Sequence, residues 1–124
     1  IWLFYIFFYI IKTMIYYMTL NNNPFQKIKD GTKTIECRLF DDKRKKIKKN
    51  DTIIFKLKNN DSQSIKTKVI ALYKSQSFEK LISKFGTKKF GWDKKENVLA
   101  ELKKFYSNEQ EKEFGVLGIL ISKN

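Results

Sequence analysis

The sequence predicts an α+β domain, a small curled sheet or partial barrel of about five short strands with peripheral helices. Three observations carry this expectation. Polar and apolar residues alternate with period two over 34–39, and two further strand-like runs follow, 52–58 after the Asn50-Asp51 turn and 64–73 after a polar hairpin loop. Helical signals fall at 24–30, 78–85 and 94–106, between strands and not in strict alternation with them. The last apolar run, 114–122, is interrupted by Gly118 and reads as a strand in the interior of the sheet.

Taken in order, residues 17–20 form a first short strand and Asn21-Asn22-Asn23 a turn. Pro24 stands where a helix begins, because the missing N–H costs nothing in a first turn. Gly31 ends that helix as a left-handed cap, and Lys27, Lys29 and Lys33 suit the negative end of its dipole. The next strand, 34–39, has two faces: Ile35, Cys37 and Leu39 point to a core, while Thr34, Glu36 and Arg38 share the other side. Residues 40–49 carry the densest basic run and read as a loop or single helical turn. Asn50-Asp51 makes a turn into strand 52–58, residues 59–63 a hairpin loop, and 64–73 the partner strand, with Lys66 and Lys68 on one face. Ser77 caps helix 78–85 and Gly86 stops it. A basic aromatic turn, Lys88-Lys89-Phe90-Gly91-Trp92, precedes a capping box of Asp93 with Glu96 that starts helix 94–106. On that helix Val98, Leu99, Leu102, Phe105 and Tyr106 form the buried stripe, with Glu101 at its margin. Residues 107–113 read as an acidic connector.

Residues 1–17 are nearly all apolar, broken by Lys12 and Thr13. The apolar run before Lys12 falls short of the roughly 20 residues that a spanning helix needs. It also lacks the basic start and small-residue cleavage site of a signal peptide. The simplest expectation is an extension from a mis-set start, with the native chain beginning at Met14 or Met18. The alternative is an anchor with Lys12 snorkelling to the interface.

Composition excludes several chemistries. The one cysteine, Cys37, cannot form an internal disulfide, so a reducing, cytoplasmic setting is the default. There is no histidine, which removes His-based triads and makes a zinc site a poor expectation. No cofactor is implied. Proton transfer near neutral pH would fall to a Lys, a carboxylate or a Tyr with a shifted pKa. The net charge of +13 favours polyanionic partners, nucleic acid above all. Codon bias accounts for lysine outnumbering arginine 24 to 2, but less well for 26 bases against 13 acids.

The run 31–38 concentrates the rarer chemistry. Lys33, Glu36 and Arg38 converge beside the Gly31 turn. Read by periodicity alone, Glu36 and Arg38 are a solvent pair on a half-exposed strand, contributing about 0.5 kcal/mol. The spacing says more. Gly31, Lys33, Glu36 and Arg38 spell G-x-K-x-x-E-x-R, which resembles the signature of the ASCH domain, a small relative of the PUA RNA-binding domains. The resemblance extends through Asn23-Pro24-Phe25, Asp41-Asp42-Lys43-Arg44, Asn50-Asp51 and the closing 114–119, and covers residues 18–124. It implies a PUA-like β-barrel with a cleft between barrel and helices, floored by the signature strand.

It also implies RNA or a nucleotide as ligand. In that reading Arg38 offers a fork to a phosphate or base edge, Glu36 holds the fork or accepts from a base amino group, and Lys33 sits at the entrance. Lys43 and Arg44 supply phosphate contacts, and Trp92 is either a rim aromatic or a stacking platform. The second reading is an amidohydrolase acting on N4-acetylcytidine or a related modified nucleoside, which this chain is similar to through Lys33 as nucleophile and Glu101 as the helical carboxylate. The threonine that such enzymes use does not match: its position is Glu36, and Thr34 is displaced by two residues. A third reading, a peripheral membrane protein, requires residues 1–17 and lysines facing anionic lipid.

Overall fold

The computed structural model describes residues 12–124. The expectation about an N-terminal extension therefore falls largely on residues 1–11, outside the described part. Among the described residues five strands form one curled sheet in the order β1-β3-β4-β5-β2. They are β1 (Ile15–Leu20), β2 (Ile35–Leu39), β3 (Thr52–Leu57), β4 (Asn60–Ser75) and β5 (Val116–Lys123). β1 runs parallel to β3; the other pairings are antiparallel. Four α-helices accompany the sheet: α1 (Asn22–Asp30), α2 (Phe78–Phe85), α3 (Lys95–Lys103) and α4 (Asn108–Phe114), with a 3-10 turn at Thr87–Lys89. The class is α+β and the sheet a half-barrel, as the alternation of short strands predicts.

Period-two patterning puts Met18 and Leu20 of β1, Ile53, Phe55 and Leu57 of β3, and Ile65 and Val69 of β4 on one face. There they meet Phe25 and Ile28 of α1 and Leu117, Ile119 and Ile121 of β5 in a first core. Thr67 is fully buried within that row, and its hydroxyl donates to the Ile53 carbonyl at 2.8 Å, so no polar group is stranded. A second core joins Ile35, Cys37, Leu39 and Val116 to Phe78, Leu81 and Ile82 of α2, with Phe90 and Val98. β5 is therefore buried on both sides, which is why it reads as a continuous apolar run. Gly118 is required there: a Cβ would lie 3.0 Å and 3.1 Å from the Leu81 methyls. α2 packs over β5, β2 and the C-terminal half of β4, and among the described residues no helix covers the outward side of β1, β3 and early β4.

Several boundaries differ from the sequence expectation. β1 begins at Ile15, two residues early, because Ile15 and Tyr16 extend the parallel ladder to Thr52 and Ile53. α1 begins at Asn22, so Pro24 is its third residue; first-turn N–H groups lack intrahelical partners, and proline is tolerated there. The β3–β4 connection is only Lys58 and Asn59, with Asn59 at φ 66°, and residues 60–63 belong to β4 across a bulge. Asp93 and Glu96 do not form a capping box: Lys94 is the N-cap and makes no side-chain cap bond. α3 stops at Lys103, and Phe105 is 55% exposed and not part of a buried stripe. The acidic connector is a helix, α4, begun by the reciprocal box of Ser107 and Gln110. The Glu111 carboxylate accepts from the Phe78 N–H at 2.9 Å and ties α4 to the start of α2.

Candidate functional site

The site starts where α1 ends. Gly31 adopts φ 86° and its N–H bonds back to the Ile28 carbonyl, closing the helix in the left-handed conformation that glycine reaches without penalty. Asp30 accepts from the Thr32 N–H at 2.9 Å and its hydroxyl at 2.7 Å, which sets the turn. The Lys33 N–H then bonds the Lys27 carbonyl, the Thr34 N–H bonds the Lys89 carbonyl, and Lys33 bridges to Phe90. Lys33 is thus gripped from both sides before β2 begins. Along β2, Ile35, Cys37 and Leu39 enter the second core, and Glu36 and Arg38 face the other way.

That other face is not solvent. Glu36 is 3% exposed, and its carboxylate is saturated with donors. Oε1 accepts from Lys33 Nζ at 2.8 Å and from the Cys37 N–H at 3.1 Å; Oε2 accepts from Arg38 Nη2 at 3.0 Å and Nε at 3.3 Å. Burial alone would raise the Glu36 pKa, but the two cations and their hydrogen bonds prevail and lower it to about 2. The picture of a weak solvent pair is therefore corrected: this is a buried triad, in which losing one partner costs far more than in a surface pair. Burial lowers the Arg38 pKa, yet Glu36 and then Tyr106 carry it above its ordinary value. Burial pushes the Cys37 thiol up to about 12, so it is no nucleophile at neutral pH.

Above the triad opens a cavity of about 310 Å³. Lys33, Glu36 and Arg38 form its floor, Trp92 and Phe90 one wall, and Glu101, Leu102 and Tyr106 another. Of the residues the sequence singled out, five come together here: Lys33, Glu36, Arg38, Trp92 and Glu101. Lys43 and Arg44 do not line it. Lys43 is exposed, and Arg44 pairs with Asp41 at 2.9 Å, though its charge still reaches Tyr106. Glu101 bonds Lys104 Nζ at 2.9 Å.

Sequence reading missed Lys27, Lys58 and, as a site residue, Tyr106, all of which line the cavity. Lys27 sits 4.2 Å from the Trp92 ring centre and donates to the Gly91 carbonyl, so it fixes the basic aromatic turn. Burial raises the Tyr106 pKa despite the neighbouring Arg38, so its hydroxyl stays a donor at neutral pH. The lining holds four cations, Lys27, Lys33, Arg38 and Lys58, against Glu36 and Glu101, so the cavity suits an anionic ligand with an aromatic part. Among the described residues no three His, Cys, Asp or Glu side chains gather as a metal site would need. No helix among them is long and apolar enough to cross a membrane.

The fold recurs in solved structures. The chain is similar to the crystal structure of hypothetical protein PH0355, at 34% identity and TM-score 0.79, over 90% of this chain and 100% of that one. It is also similar to protein PF0455 from Pyrococcus furiosus, at 29% identity and TM-score 0.68, over 89% of this chain and 97% of that one. A mutant of the ASCH protein from Zymomonas mobilis shares the fold at 15% identity and TM-score 0.55, over 86% of this chain and 66% of that one. None of the curated proteins matches in sequence. The family model of the ASCH domain matches residues 18–123, which take in the Gly31 turn, the buried triad and both cores. On that match the chain belongs to the ASCH domain family.

Proposed function

We propose that this protein is an RNA-binding module whose cavity receives one base and its phosphate from a single-stranded segment. The observation that carries the reading is the unequal charge of the cavity. Glu36 is consumed by Lys33 and Arg38, and Lys27 and Lys58 stand on the lining and form no ion pair among the described residues. Trp92 and Phe105 supply apolar faces for a ring, and Arg38, whose Nε and Nη2 are held by Glu36 and the Thr19 carbonyl, brings its positive charge and its Nη1 donor to a phosphate or a base edge. In this reading Glu36 aims Arg38 and makes no contact with the base, since both its oxygens are taken. Lys43 and Arg44 lie outside the cavity and serve as phosphate contacts further along the strand.

The second reading, hydrolysis of an acylated cytidine, draws on one observation: Lys33 and Glu101 line the same cavity. Against it stands the chemistry of Lys33. Its ammonium is ion-paired to Glu36 at 2.8 Å, and a protonated amine has no lone pair with which to attack.

A fluorescence titration of the full chain with single-stranded RNA, duplex RNA and matched DNA across a salt series tests the proposal. Single-stranded RNA is expected to be preferred at high salt, and Arg38→Ala to weaken binding by at least about tenfold, with Lys123→Ala nearly silent. Equal losses from both substitutions reduce the binding to generic charge. Release of cytidine from N4-acetylcytidine, abolished by Lys33→Ala, would establish the hydrolytic reading instead.

A further inference from the structure

The outward side of β1, β3 and early β4 carries an arrangement that the cavity does not use. Strand register places its side chains in three rows: Ile15, Thr52 and Lys68; Tyr17, Ile54 and Lys66; and Thr19, Lys56 and Ser64. A bare sheet face in an α+β domain is ordinarily a mixed polar surface with both signs of charge. This one has three lysines and no acid, and none of the three forms an ion pair among the described residues. Lysines on adjacent strands repel one another, and the sheet bears that cost without internal relief. Among them Tyr17 is 63% exposed and Ile15 55% exposed, with the Lys56 ammonium 5.2 Å from the centre of the Tyr17 ring. An accessible ring beside one uncompensated cation, with two more on the same face, matches what a single strand offers, a π-face on each base and a phosphate between bases.

The face is also continuous with the cavity. Thr19, in its third row, lines the cavity mouth, and so does Lys58, two residues beyond Lys56. We infer that the face formed by Tyr17, Lys56, Lys66 and Lys68 is a second binding surface, which tracks single-stranded RNA as it leaves the cavity. This rests on the RNA-binding reading above and extends it from one nucleotide to a path of several. Tyr17 stacks a base, and the three lysines contact successive phosphates without reading sequence.

The test compares a uridine decamer with a uridine trimer on the full chain. The triple variant Lys56→Gln/Lys66→Gln/Lys68→Gln changes only outward positions, and thermal melts check that the fold persists. It is expected to lose at least about tenfold in decamer affinity and to lower the slope of log K against log salt by about 2, since each phosphate contact on a single strand contributes roughly 0.7. Trimer affinity is expected to stay within about twofold, because the cavity is untouched. Tyr17→Ala should weaken the decamer alone, and Tyr17→Phe should restore it, which a charge effect would not do. If the unmodified chain binds no RNA, both readings fall. If it binds the decamer and the triple variant binds equally well with the same salt slope, this surface alone is refuted. Loss of binding to phosphatidylserine vesicles in the triple variant, with decamer binding retained, would reassign the face to a membrane and likewise overturn the inference.

Discussion

Arg38 Nη2 on β2 reaches the Thr19 carbonyl on β1 at 3.4 Å, joining the two strands that lie at opposite edges of the sheet. In a parallel ladder alternate residues turn their backbone groups away from the partner strand, and the Thr19 carbonyl is one that β3 does not use. The half-barrel is therefore closed at this point by a side chain and not by a strand pair. The same guanidinium is held by Glu36, so a single residue links sheet curvature, the buried triad and the cavity floor.

Glu36→Gln is expected to destabilise the fold by roughly 3 kcal/mol, because it leaves Lys33 and Arg38 as buried cations without a counter-charge. The amide keeps shape and one acceptor, so the loss reports charge and not a cavity. Urea denaturation followed by tryptophan fluorescence reads it as a lower midpoint at constant slope. An unchanged midpoint would show that the cations find water instead.

The same carboxylate sets an acid limit. Its folded pKa of about 2 lies below its ordinary 4.5, so the stabilisation is fully present above the ordinary value and is lost as pH falls from there toward 2. The contribution is on the order of 3 kcal/mol. Melting temperature measured from pH 6 down to pH 2 should fall steeply in the native chain through that window. In Glu36→Gln the same stretch should be flatter, and parallel curves for the two proteins would exclude Glu36 as the titrating group.

Gly91→Ala should disturb ligand binding more than stability. Gly91 adopts φ 83°, and an added Cβ would lie 3.0 Å from the Lys27 Cδ and 3.2 Å from the Lys33 Cβ. The backbone strain costs about 1 kcal/mol, while the close contacts shift the stems of two lysines that line the cavity. Thermal melting reads the first effect and RNA titration the second. A variant that melts lower but binds RNA as before would uncouple the turn from the site.

Local chemistry is what the sequence determines here. Alternation from Ile35 to Leu39 sorts that strand's side chains to two faces because the pleat does so in any surroundings, and Gly31 ends α1 because only glycine enters the left-handed region cheaply. The capping box of Ser107 and Gln110 was equally local and equally legible, but an acidic, polar segment without an apolar stripe read as a connector. Asp93 with Glu96 shows the converse: the pattern is present, yet the chain reaches α3 through Lys94 because the preceding turn is held by Lys27 and Thr87. What tertiary structure alone decided is the environment of each face. Glu36 becomes a buried anion only because β1 curls round to β2 and α3 closes above it, bringing Thr19 and Tyr106 to Arg38 across long stretches of chain. Tyr17 likewise joins a lysine face only because β1 pairs with β3, a parallel register that no local signal encodes. Period and caps act over a few residues, whereas burial, and with it the strength of every charge in the site, depends on which segments pack together.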